Sequence, residues 1–222
     1  MTQIKKRHTG LLDKILLARL SFHLVVRTAI IKACDNTVMT TSEDILGRIW
    51  QSLHEATTQG TGFTLSFLGT IGLEGQPRMR AVILRQFHQA QQQLCFATNI
   101  HSAKIPEIRR HPQVALTSYD AGSSIQLRME GHADIVKDRV CRQRAWRSLA
   151  AHSQELYAST NIPGTPLQDD DAGRNSDLAS SFARFAWVSV KLEWLDWLDL
   201  SDNQRWQFKR RGDQWHGGDV VP

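Results

Sequence analysis

Arg78-Met-Arg-Ala-Val-Ile-Leu-Arg-Gln-Phe87 is the stretch that decides the fold. Its centre, Ala81 to Leu84, is apolar and partly β-branched, and its ends are cationic, which predicts a strand. Before it stands the turn Leu73-Glu-Gly-Gln-Pro77, and before that a run rich in Phe, Thr and Leu between Gly62 and Gly72. Two strand-like runs around a short Gly/Pro turn predict a hairpin. After it come a polar turn, Gln89 to Gln93, and a third strand, Leu94 to Thr98.

Further out, Gln113 to Tyr119 predicts a strand, and Asp120-Ala-Gly122 a turn. Ser124 to Val136 alternates cleanly: Ile125, Leu127 and Met129 share one face, Gln126, Arg128 and Glu130 the other. Phe182 to Leu200, Arg205 to Arg211 and Gln214 to Val220 read as closing strands. Helical spacing of Ile45, Leu46, Ile49, Trp50 and Leu53 predicts a helix over Glu43 to Ala56. Ser102 to Arg110 predicts a short helix with Pro106 in its first turn, and Lys137 to Tyr157 a longer one. Ser159 to Ser181 reads as a loop of unusual length, of the kind that is functional or disordered. The expected class is mainly β with flanking helices. Six or more antiparallel strands predict a small closed barrel, because closure removes sheet edges.

Net charge narrows the function classes. The chain of 222 residues carries 27 Lys and Arg against 22 Asp and Glu. Residues 1–38 hold seven of those cations (Lys5, Lys6, Arg7, Lys14, Arg19, Arg27, Lys32) and two of the acids (Asp13, Asp35). The remainder therefore has 20 of each, and a neutral body is a poor binder of phosphate backbone. Leu11 to Ala33 is apolar but broken by charges, so it is not a membrane span. It reads as a basic amphipathic helix, a transit peptide, or a leader outside the native protein if translation starts at Met39. The composition shift favours the last of these, with Thr40-Thr41-Ser42-Glu43-Asp44 capping the first helix. The expected organisation is a basic leader, 1–38, and one domain, 39–222. Three well-separated cysteines, Cys34, Cys95 and Cys141, without C-x-x-C, fit a reduced, cytoplasmic setting. Nine histidines without paired ligand spacing point away from zinc, and no metal is expected.

Candidate site residues fall near the hairpin. Arg80 lies in an apolar strand: turned inward it needs a partner such as a phosphate, and turned outward it is solvated. Ser102 is a plausible N-cap, which places Lys104 in the first helical turn. There it is either solvated or balanced by an anion at the helix start. Thr98 ends the preceding strand and adds a hydroxyl. Gln126 projects from the polar face of its strand with an amide that donates and accepts. No general acid or base stands out, so no catalytic residue is assigned.

The order of these segments resembles the pyridoxamine 5'-phosphate oxidase family. Arg80-Ala-Val-Ile-Leu-Arg85 resembles the family's R-x-V-L-L-K strand. Phe96-Ala-Thr-Asn99 with Ser102-Ala-Lys104 resembles its F-Y-T-N and S-x-K, and His111-Pro-Gln-Val114 its N-P-x-V. Gln126-Leu-Arg-Met-Glu-Gly131 resembles its Q-V-R-V-E-G, and Arg210 to Trp215 its final R-x-x-x-x-W. The resemblance implies an antiparallel split β-barrel that binds flavin mononucleotide (FMN) at a homodimer interface. It implies that Arg80, Thr98, Ser102 and Lys104 hold the phosphate and ribityl chain. Ala81, Val82, Ile83, Leu84 and Arg85 would run beside the ring, with Ala97 next to Thr98, and Gln126 and Arg205 would contact the flavin.

Departures limit what the resemblance implies. The family's substrate-binding R-L-H-D-R corresponds to Ser201-Asp-Asn-Gln-Arg205, in which only the last arginine remains. The substrate lysine position holds Arg85, and the tryptophan expected beside the flavin falls at Leu195, between Trp194 and Trp197. The expected function is an FMN-dependent oxidoreductase on an unidentified small substrate, with no nucleic-acid or integral-membrane partner. The alternatives are a non-catalytic flavin-binding protein and a heme-handling protein on the same barrel, served by His101 or His132.

Overall fold

The structure is a computed structural model and describes residues 40–166 and 178–222. The basic leader, 1–38, and the central part of the expected long loop lie outside the described residues. Helix α1 (Ser42–Thr58) begins in a reciprocal cap: the Thr41 hydroxyl accepts from the Asp44 N–H, and the Asp44 carboxylate accepts from the Thr41 N–H. The predicted apolar stripe is what it buries, through Ile45, Ile49 and Leu53.

Eight strands follow. They are β1 (Leu65–Ile71), β2 (Pro77–His88), β3 (Gln93–Asn99), β4 (Gln113–Asp120), β5 (Ile125–Ile135), β6 (Phe185–Asp199), β7 (Gln204–Arg211) and β8 (Gln214–Val220). All pairings are antiparallel, in the order β3-β2-β1-β4-β5-β6-β7-β8, and a β3–β6 pairing closes six strands into a barrel. The split lies in β6. Its first half, Phe185 to Lys191, pairs with β3, and its second half, Trp194 to Asp199, pairs with β7. A β-bulge between the halves opposes Glu130-Gly131 of β5. Gly131 is required there, because a Cβ would stand 2.1 Å from the Lys191 carbonyl oxygen.

Helix α2 (Lys104–Arg110) links β3 to β4, and α3 (Arg139–Ser148), α4 (Ala151–Glu155) and α5 (Leu178–Arg184) lie between β5 and β6. Two expectations are corrected here. Lys137 to Tyr157 is two helices, broken at extended Leu149 and Ala150. The last long strand starts at Phe185, because Leu178–Arg184 is helical. Residues 185–190 of β6 are buried on both faces. One side chain set fills the barrel. Phe185 and Trp187 instead pack with Trp146, Leu149 and Tyr157 in a second cluster under the helices. Alternation along β1 and β2 leaves Leu65, Phe67, Ile71, Met79 and Ile83 exposed on the outer face.

Candidate functional site

β2, β3 and α2 bring four of the predicted residues into one polar cluster. The amine of Lys104 donates to the Thr98 hydroxyl at 2.9 Å and to the Ser102 hydroxyl at 2.6 Å. Thr98 and Ser102 are both buried. No carboxylate lies within ion-pairing distance of the amine among the described residues. Burial holds the Lys104 amine below the ordinary lysine pKa. The charge of Arg80 adds to this, and Glu107 opposes it. The cation is therefore held where its charge is disfavoured.

Arg80 has partners within the protein. Its guanidinium turns inward, as the apolar strand suggested. Nη2 donates to Glu107 at 2.7 Å and Nη1 to the Thr70 hydroxyl, while the Thr70 hydroxyl itself donates to Glu107 at 2.6 Å. Glu107 is 5% exposed, so the pair is largely desolvated. A guanidinium has five N–H donors, and these two bonds leave three free. Ser102 as N-cap is corrected. The N-cap of α2 is Ala103, without a side-chain cap bond, and Ser102 serves the lysine instead.

Beside this cluster runs an open cleft of about 250 Å³. Ala81, Val82, Ile83 and Arg85 of β2, Ala97 and Thr98 of β3, and Lys104 form one side. Val82 and Leu84 point into the core, so β2 offers the cleft its backbone and its odd-numbered side chains. Arg85 is the extra residue of a β-bulge against Phe96 and Cys95. Such bulges re-aim side chains next to functional sites. The other wall, Leu149, Ser153, Leu156 and Tyr157, was not foreseen. It comes from the helix pair read only as structure, and no motif marks it. Burial pushes the Tyr157 hydroxyl up to about 12, so it is a proton donor and not a base at neutral pH.

Gln126 and Arg205 do not join this cleft. Gln126 sits on β5, opposite Tyr119 and Leu198, and Arg205 on β7, opposite Leu198. Two strands, β1 and β4, separate β2 from β5, a displacement of about 14 Å at one strand spacing per step. The substrate-clamp positions are in the β6–β7 turn. There Ser201 is bonded to Asp199, and Asn203 takes a left-handed backbone conformation (φ 58°) that asparagine tolerates. Leu195 is core, Trp197 is buried, and Trp194 is on the outer face beneath Arg128. His101 and His132 are exposed. Among the described residues no three His, Cys, Asp or Glu side chains are grouped to hold a metal ion.

The model of the family described as pyridoxamine 5'-phosphate oxidase matches residues 53–187, which runs from the end of α1 through β1 to β5 and into the first residues of β6, with every element of the cleft. This chain belongs to that family. Among curated relatives, the pyridoxine/pyridoxamine 5'-phosphate oxidase 2 of Arabidopsis thaliana is 26% identical over 148 residues, 62% of this chain and 74% of its own. The oxidase of Thermosynechococcus vestitus is 26% identical over 165 residues, 70% and 77% of the two chains. Among solved structures, an FMN-binding protein related to pyridoxamine 5'-phosphate oxidase from Nostoc punctiforme superposes with TM-score 0.70 at 22% identity, covering 79% of this chain and 96% of that one. PhzG from Burkholderia lata superposes with TM-score 0.63 at 16% identity, covering 83% and 95%. The fold is thus the family's antiparallel split barrel. No described helix is long and apolar enough to cross a membrane.

Proposed function

We propose that this chain is an FMN-binding oxidoreductase acting as a homodimer in the cytoplasm, with its function carried by residues 39–222. The observation that carries this reading is Lys104, a half-buried cation with two hydroxyl partners and, among the described residues, no carboxylate within ion-pairing distance. A phosphate group supplies the missing anion, and the free N–H groups of Arg80 and the hydroxyls of Thr98 and Ser102 suit it. The adjoining cleft accepts a flat ring along the β2 backbone from Ala81 to Arg85, beside Ala97. Bound FMN would supply the redox chemistry, and the protein would bind and orient it.

Dimerisation follows from what one chain lacks. About 250 Å³ is below the usual range of a closed ligand pocket, roughly 300–1,000 Å³. Gln126 and Arg205 project on the same outer face as the exposed Leu65, Phe67, Met79 and Ile83. A two-fold pairing of this face would cover the apolar patch and carry one chain's Gln126 and Arg205 to the other's cleft. Purified protein should show flavin absorbance, bind FMN more tightly than riboflavin and have twice the chain mass in solution. A colourless protein that takes up no added FMN overturns the reading.

Pyridoxamine 5'-phosphate is not the expected substrate. Ser201 and Asn203 offer no cation, and both are exposed in a turn. The wall facing β2 offers Leu149 and Leu156, with Ser153 as its one small polar group. FMN-loaded protein should turn this compound over far more slowly than a dedicated oxidase, measured by oxygen uptake. Comparable turnover would show that the cleft clamps the vitamin phosphate by other residues.

Acidity should act on binding through Lys104. Its pKa in the folded chain lies below the unfolded value of 10.5. Between those two values the unfolded chain binds more protons, so stability of the empty protein rises with pH in that window. Below it, the penalty for the buried cation is fully present. A bound phosphate favours the charged amine, so FMN affinity should fall as pH climbs past the depressed pKa. Titrations should show that break for FMN and not for riboflavin, and Lys104→Met should remove it.

A further inference from the structure

Asp196 lies on β6, on the outer face, and is 1% exposed. Arg128 of β5 stands directly across from it on one side and Gln207 of β7 on the other. Oδ2 accepts from Nε of Arg128 at 2.9 Å, from its Nη2, and from Nη2 of Arg205 at 2.8 Å. Oδ1 accepts from Nε of Arg205 at 3.1 Å. One carboxylate thus holds two guanidinia, and the cluster has a net charge of +1. Burial works against ionisation of Asp196, yet the two arginines keep its pKa below the usual carboxylate value.

An ion cluster of this kind is a poor stabilising device. Taking the charges out of water costs about as much as their attraction returns, and apolar residues often do as well. The directions of the unused donors suggest a different role. Both arginines spend Nε and Nη2 on the carboxylate, and neither Nη1 makes a hydrogen bond among the described residues. The side chains of Arg128 and Arg205 are 40% and 24% exposed. The Arg128 guanidinium lies over the Trp194 ring, 5.6 Å from its centroid. Gln126 follows on the same face of β5 and adds an amide that donates and accepts. The set is a row of donors with one spare positive charge beside a flat indole. It complements the carbonyl-rich edge of a planar heterocycle, as on the pyrimidine-dione side of a flavin.

We propose that Arg128 binds that edge of the flavin lying in the partner's cleft, and that Asp196 is the positioning residue that aims Arg128 and Arg205 at it. This rests on the FMN-dimer reading above. It adds Arg128 and Asp196 to the site, and neither belongs to the residues expected from the sequence.

The test uses full-length protein and two ligands, FMN and riboflavin, with solution mass measured in parallel. Arg128→Gln should weaken both flavins by the same factor, about tenfold or more for a lost charge-assisted bond, because the ring edge is common to both. Mass should stay as in wild type, and the melting temperature should fall only in part, because Arg205 still holds Asp196. Asp196→Asn should show the same paired loss, partly restored by Asp196→Glu; if the Asn variant does not fold, Arg128→Gln decides. Wild-type affinity for both flavins in a dimeric Arg128→Gln overturns the proposal and leaves the FMN-dimer reading standing. So does a loss confined to FMN, which would put Arg128 at the phosphate, or a monomeric variant, which would make it an interface contact. A wild-type protein that is monomeric or refuses FMN overturns the underlying reading itself.

Discussion

Lys104→Ala is expected to lower FMN affinity by about ten- to a hundred-and-fortyfold while riboflavin affinity stays within about twofold of wild type. The range follows from one charge-assisted bond of about 1.5–3 kcal/mol, with about 1.4 kcal/mol per factor of ten. The selectivity follows from position. Lys104 stands at the end of the cleft beside Thr98, and its amine touches hydroxyls and no ring-facing group. The empty variant should also be no less stable than wild type at neutral pH, because a disfavoured cation has been removed. The combination is diagnostic. A lysine that merely supported α2 would lose stability and both flavins together. Paired titrations with the two ligands and a thermal melt of the empty protein distinguish these outcomes. Equal loss of both flavins would remove the phosphate assignment.

The strands were legible because their signals are local. Alternation from Ile125 to Met129 and the hairpin around Gly75 each specify a strand without help from the rest of the chain. The boundary at Phe185 was not legible. Phe182 and Phe185 are both apolar and aromatic, and helix turns to strand between them only because Phe185 meets β3 across the barrel, opposite Asn99. That Thr98, Ser102 and Lys104 form one set was legible, since they are close in sequence. Its internal wiring was not. Glu107 gave no signal, because a glutamate in the first turn of a helix is ordinary at a surface. Its burial against Arg80 is a consequence of α2 packing on β1. Leu149 and Tyr157 were invisible for the same reason: their relevance depends on which wall the broken helix pair forms. Asp196 looked like one acid among tryptophans, and only the β5–β6–β7 register shows it holding two arginines.

Arg80→Ala is expected to be the most damaging single change at the site, and mostly through folding. The substitution leaves Glu107, at 5% exposure, with Thr70 as its one side-chain partner among the described residues. Breaking a buried ion pair from one side costs about 3–5 kcal/mol, since the remaining charge is stranded. That figure is discounted here, because the arginine side chain is 22% exposed and water can enter as it leaves. A loss of roughly 2–4 kcal/mol is a large part of the stability of an ordinary domain. The double variant Arg80→Ala/Glu107→Gln should recover much of it, because a neutral amide can be buried at lower cost and can bond to Thr70. FMN should not recover with it. The donors that Arg80 keeps free of Glu107 are absent from both variants, so FMN should bind at least about tenfold more weakly than to wild type in the refolded double variant. Chemical denaturation followed by FMN titration separates the two effects. Stability restored together with full FMN affinity would make Arg80 a purely structural partner of Glu107 and leave Lys104, Thr98 and Ser102 as the whole of the phosphate site.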